Sequence, residues 1–469
     1  MRPRTFFARG SAIALLGVAA PLPAVAAVGS HKASDAQVLS GPSPFAGGCP
    51  GALADDQKIT GGEIEPAITS NPANRRNIAA TWQQDVSLGA RSDLIGTSLD
   101  GGKTWAHSTI PRLTVCTAGT ADFASDPWIS AGAGGTVYFS GTSGSASSDP
   151  PPIAVVTSHS TDGGRTWQAP VTVAPLDPRN DTDAITASPS LAGHAYLVWG
   201  NWDHQYNFPM TNFLKFSRTT DGGATWSPAT VIDQPGPTAI DFSGRILILP
   251  GGTLLAIFAR ADLAAGRGQL LAARSPDEGR TWLPPVQIGS QPVQAIVDPE
   301  TGAELPQPGF PTAAAARDGT VYAAFEASTS ASSGAIGLAR SRDGGRTWRT
   351  GMVPGVSAFA FEPSIAVDSH GRVGLTWYDL RNDRPGDAAL TTDVWFAQSR
   401  DGGASWQQNH LAGPFNLRAA PLGSHGLGEY QGLAALPGRG FAGIFTLAAP
   451  LAKDGPTDIF FAMAGPGGE

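Results

Sequence analysis

One pattern, Ser/Thr-x-Asp-x-Gly-x-Thr/Ser-Trp, occurs six times: Ser98 to Trp105, Ser160 to Trp167, Thr219 to Trp226, Ser275 to Trp282, Ser341 to Trp348 and Ser399 to Trp406. Recurrence every 56 to 66 residues makes the chain an array of like modules, not a set of unrelated domains. Each copy reads as a turn. The Asp (Asp100, Asp162, Asp221, Asp277, Asp343, Asp401) can accept backbone N–H bonds within its own loop, and the Gly two residues later supplies a positive φ. The hydroxyl adds a local bond and the Trp folds back as an apolar plug.

This pattern resembles the Asp-box, or BNR repeat, of the sialidase superfamily of β-propellers, over about Glu65 to Met463. Departures are small: Thr219 opens the third copy, Glu278 fills the first central Gly position of the fourth, and Ser405 replaces Thr in the sixth. The resemblance implies blades of four antiparallel strands, with the box turns joining strands three and four on one face. Inner-strand starts and the loops between strands two and three then meet at the opposite face, around a central pore.

The chain between the boxes follows one grammar. In the unit ending at Asn409-His410-Leu411, Glu362 to Val367 is the first strand, Asp368-Ser369-His370-Gly371 the turn, Val373 to Tyr378 the second strand and Val394 to Gln398 the third. Inner-strand starts fall near Glu65, Asp126, Asp183, Ile240, Pro311, Glu362 and Glu429. Those seven starts predict an all-β, seven-bladed propeller, with six blades as the alternative. The last unit has three strands, so a fourth must close the ring, and Gln57-Lys58-Ile59-Thr60 is the expected source.

Composition agrees with a turn-rich β protein: 59 Gly, 39 Pro and only 15% charged residues. A net charge of −8 disfavours nucleic-acid and anionic-membrane partners. Residues 1–26 read as a secretory leader: basic Arg2, Arg4 and Arg9, apolar Ala12 to Ala20, and Ala24-Val25-Ala26 as the cleavage site. Residues 27–56 read as a flexible Gly/Pro/Ser/Ala-rich arm and 57–469 as the propeller. The expected product is a secreted monomer without a membrane segment. Its two cysteines, Cys49 and Cys116, are expected to be bridged in an oxidising compartment, the alternative being two buried thiols.

Five inner-strand starts are acidic: Glu65, Asp126, Asp183, Glu362 and Glu429. Grouped carboxylates must be protonated, paired with arginine or bound to a cation, so a structural calcium is conceivable although no cofactor is expected. A carboxylate before Pro can equally accept backbone N–H bonds where blades meet. Glu362, Tyr378, Asp379, Asp126 and Glu429 are the candidate catalytic residues; carboxylates beside a Tyr can protonate a glycosidic oxygen and stabilise an oxocarbenium-like charge. Arg381 and Arg260 are candidates for an anionic group, and Trp202, Trp82 and Tyr430 for stacking on sugar faces. Asp379 and Arg381 can instead pair with each other to shape a loop.

Sialidases bind the sialic-acid carboxylate with three arginines and use a Tyr activated by a Glu and an Asp acid/base. Their first arginine lies in a Phe/Tyr-Arg-Ile-Pro motif, where this chain has Glu65-Pro66-Ala67-Ile68-Thr69. The expected function is therefore carbohydrate handling at the pore face, as a glycoside hydrolase or as a non-catalytic glycan- or protein-binding propeller.

Overall fold

The computed structural model describes residues 36–49, 59–86, 89–146, 148, 150–203, 209–292, 297–303, 305, 310–327, 334–356, 359–420 and 426–464. The expected leader lies outside them. Among the described residues, twenty-eight strands fall into seven four-stranded antiparallel groups, the seven blades. The first two groups are fused into one sheet only by a single pairing, Ala90 with Ala124. Blades stack face to face, so their second strands are covered on both sides and read as continuous buried runs, as in Ile78–Val86 and Val373–Asp379. The apolar clusters accordingly sit at seams; one joins Phe396 and Phe415 of blade six to Phe441 and Phe460 of blade seven. Full burial of each such side chain contributes roughly 1.5–3 kcal/mol.

All six box turns form the same bonds. Asp343 Oδ1 accepts the N–H groups of Arg346 (3.0 Å) and Thr347 (2.9 Å), while Ser341 Oγ donates to Oδ1 and accepts the Gly345 N–H, both at 2.8 Å. Such donors hold the carboxylates below their usual range; Asp221 is lowered to about 2, chiefly by the Thr225 hydroxyl and N–H. The invariant glycine also latches blades together. A Cβ on Gly345 would sit 2.8 Å from Leu255 of the preceding blade, on Gly279 2.1 Å from Phe216, and on Gly102 2.5 Å from Phe461. Positive φ and close approach both require glycine there. Glu278, which replaces the neighbouring glycine, takes φ 59° itself and is held by Arg218, whose guanidinium donates to its carboxylate at 2.7 Å.

Ring closure differs from expectation. The outermost strand of blade seven is Gln37–Val38, paired with Phe461 and Phe460 of Thr457–Ala464. Gln57 and Lys58 lie outside the described residues; Ile59 donates its N–H to Val86 O at 3.0 Å, in blade one. The reason is the short apolar segment Val38-Leu39: Leu39 donates its N–H to Ile459 O (2.7 Å) and buries its side chain between blades seven and one. Part of the expected flexible arm is thus a packed element. The Cys49–Cys116 disulfide ties it to the loop after the first box.

The Gly438-Arg439 pair turns between strands Gly440–Ala448 and Gly432–Leu436, as a hairpin should. Asn180, the acceptor of an Asn-Asp-Thr sequon, is buried with its amide nitrogen donating to Ile153 O and Pro175 O.

Candidate functional site

Five inner strands carry the same defect. Their register skips over Glu65-Pro66, Asp126-Pro127, Thr182-Asp183, Ser243-Gly244 and Glu362-Pro363. In each bulge the first residue is left-handed, with φ of 57°, 54°, 49°, 52° and 47°. Such a φ costs a non-glycine residue about 1–2 kcal/mol. A bulge re-aims its side chain and leaves that backbone unpaired, so a following proline loses nothing. Repetition of this strain at one level of the fold marks the pore mouth as the constrained part of the molecule.

The carboxyls brought together there form two hydrogen-bonded pairs, each shared between neighbouring blades. Glu65 pairs with Glu429, and Gln83 donates its amide to Glu65. Asp126 pairs with Asp181, and Thr142 Oγ1 donates to Asp126 Oδ2 at 3.2 Å. Asp183 and Asp93 lie beside them. Burial, followed by mutual repulsion, raises the carboxyls above their ordinary range, and Asp181 is pushed up to about 7.

One guanidinium answers this charge. Arg245 lies 3.7 Å over the Trp128 ring, with Phe310 and Tyr430 at 5.9 and 6.0 Å, facing Asp183 and Asp126. Burial pulls it down to about 10. Phe310 comes from the long insert before blade five; its N–H donates to Glu429 O at 3.0 Å and its ring stacks on Tyr430. Among the described residues no three His, Cys, Asp or Glu side chains converge as a metal ion requires.

Of the sequence candidates, Asp126 and Glu429 belong to this cluster. Glu362 lies at its edge: burial, then Glu326 and Glu429, raise its carboxyl, while its N–H donates to Glu326 Oε1 at 2.9 Å. Tyr378 does not join them. It is fully buried, stacked on Phe361, and its hydroxyl is engaged by the backbone of Thr446. Asp379 points to the other face of the same strand, as strand alternation demands, and is bound by Arg381 and by Trp377 Nε1 at 2.9 Å. The loop-shaping alternative is the one observed for Asp379 and Arg381.

The expected ligand-binding arginines are already committed to carboxylates, Arg260 to one in its own blade and one in the preceding blade. Arg260 forks onto Asp241 at 2.6 and 2.8 Å and reaches Asp233; Arg381 forks onto Asp379 and stacks 3.8 Å over Trp395. Trp82 is wholly buried between blades and Trp202 is packed against Phe242, Met210 and Ile240, so neither offers a free sugar platform. Tyr430 is in the pore but buried, its hydroxyl donating to Pro127 O at 3.0 Å. Sequence reasoning missed Asp93, Asp181, Arg245, Trp128 and Phe310. The available signal was a charged residue directly after a bulge in an otherwise apolar strand, Ser243-Gly244-Arg245-Ile246-Leu247.

No family model matches the chain, and no curated protein matches it. Among solved structures it is similar to a protein of unknown function from Dyadobacter fermentans, at 16% identity over 78% of this chain and 98% of that one, with a TM-score of 0.50. The shared fold is a β-propeller of four-stranded blades. Other similar solved structures are the Hadza microbial sialidase Hz136 (16% identity, 82% and 72% covered, TM-score 0.46) and the α-L-arabinofuranosidase Arb93A of Fusarium graminearum (12%, 72% and 92%, 0.47). In this propeller the pore mouth is acidic, with the guanidinium of Arg245 at its wall.

Proposed function

We propose that the pore mouth binds carbohydrate and cleaves a glycosidic bond, with the Asp126–Asp181 pair as the proton donor. The observation that carries this reading is that pair itself. Asp126, in its bulge, is hydrogen-bonded to Asp181, and the Asp181 carboxyl is pushed up to about 7, the range a general acid needs at neutral pH. The neighbouring Glu65–Glu429 pair supplies a second carboxyl group, as glycoside cleavage by two carboxyls requires. The acid would protonate the leaving oxygen while the second group acts on the anomeric carbon or on a water beside it. With Arg260 and Arg381 committed elsewhere, the charge of the mouth favours a neutral sugar over sialic acid. The disulfide supports the secretion expected from the leader.

The test is hydrolysis of a panel of aryl glycosides, sialoside and arabinofuranoside included, with and without chelator. Turnover of one member that falls 10²–10⁴-fold in Asp181→Asn, with the fold intact, is the expected result. The second reading is a non-catalytic glycan-binding propeller, favoured by Phe310 lying across Tyr430 over the pore. Saturable glycan binding without product would establish it.

A further inference from the structure

A cleft of about 600 Å³ opens in blade six, outside the pore. Its walls are the third and fourth strands, Thr391–Ser399 and Gln407–Asn416, and the loop before them. This volume suits one sugar ring with its substituents.

The base of the cleft is rigid. Asp393, almost wholly buried, accepts His410 Nε2 at 2.6 Å on Oδ1 and Asn382 Nδ2 at 2.8 Å on Oδ2. The proton of the imidazole is thereby placed on Nε2, leaving Nδ1 for a ligand. The His410 ring packs against Trp395, 5.1 Å away and inclined at 68°, and Arg381 supports Trp395 at 3.8 Å. Both acceptor oxygens of Asp393 are thus occupied by neighbours in the same blade.

The rim, in contrast, holds uncommitted groups. Arg384 is exposed, and its guanidinium has no hydrogen bond or ion pair among the described residues. Asp387 Oδ1 accepts the Ala389 N–H at 2.9 Å, leaving Oδ2. Thr391 adds a hydroxyl and Pro414 an apolar edge. One free guanidinium, one carboxylate oxygen and several neutral polar groups around an indole match a ligand with one carboxylate and adjacent hydroxyls. The carboxylate would take Arg384, and the hydroxyls would donate to Asp387 and His410 Nδ1.

We propose that the blade-six cleft is a second binding site, independent of the pore, for a sugar acid, meaning a pyranose ring bearing a carboxylate. Such a unit would be repelled by the acidic pore and would anchor an acidic glycan on the outer part of the pore face.

Titration calorimetry of the intact chain with D-glucuronate, N-acetylneuraminate, D-glucose and acetate tests this, the two acids distinguishing a uronic from a sialic source. One acid is expected to bind at least tenfold more tightly than glucose and acetate. Arg384→Gln and His410→Gln should each weaken it at least tenfold, and Asp181→Asn in the pore should leave it unchanged. Arg384 is exposed, so its variant keeps the fold. Absence of binding for both acids, equal binding of glucose, or insensitivity to Arg384→Gln would overturn the proposal. Loss in Asp181→Asn instead would move the ligand to the pore and overturn it too.

Discussion

Tyr378 of blade six and Thr446 of blade seven exchange two hydrogen bonds, the phenol donating to Thr446 O and accepting from its N–H, each at 3.0 Å. A residue expected to be catalytic is a rivet between blades. Tyr378→Phe leaves a buried N–H and C=O without partners and should destabilise the fold by about 1–3 kcal/mol. Chemical denaturation measures that loss. Activity per folded molecule should not change, and a catalytic defect in the intact variant would return Tyr378 to the site.

The proton shared by Asp126 and Asp181 makes stability depend on pH. The folded pKa of Asp181 is raised to about 7, from an ordinary value near 4. Between those values the folded chain holds a proton that the unfolded chain has lost, so stability falls as pH rises through that window. Thermal midpoints should therefore drop from pH 5 to pH 8, and Asp181→Asn should flatten the slope. A midpoint that rises across this range would contradict the shared proton.

Glu362 is buried with its carboxyl raised by burial and by Glu326. Held neutral, it resembles an amide in size and charge. Glu362→Gln should leave the thermal midpoint within about 2 °C, since 1 kcal/mol shifts a chain of this size by that order or slightly more. A fall of several degrees in differential scanning calorimetry would mean that an ionised Glu362 supports the fold.

Cys49 and Cys116 close a loop of 67 residues that holds the ring-closing segment in place. Loop-closure entropy puts the worth of such a bridge at about 4 kcal/mol. Reduction, or Cys49→Ala with Cys116→Ala, should lower the denaturation midpoint accordingly. Hydrogen exchange should locate the first loss of protection at Gln37–Val38 and its partner Thr457–Ala464.

Much of the fold was legible because its signals are local. An Asp, a Gly and a Trp within eight residues specify one turn, and the acidic or Pro-marked starts specify one inner strand apiece. The two-residue closing strand was not legible: Gln37–Val38 is too short to show periodicity within a polar arm. The site was half legible. Asp126 and Glu429 were found because the repeat placed them at the mouth, whereas Tyr378 is next to Asp379 in sequence but points to the opposite face by strand alternation, and Asp379 is bound by Arg381.

The amino-acid sequence alone determined the module, its turn and the number of its repeats, because each depends on contacts within a few residues. Only the tertiary structure decided which carboxyls share protons. Glu65 with Glu429, and Asp126 with Asp181, meet across blade boundaries. Their protonation depends on burial and on charges contributed by distant parts of the chain, which exist only once the ring has closed.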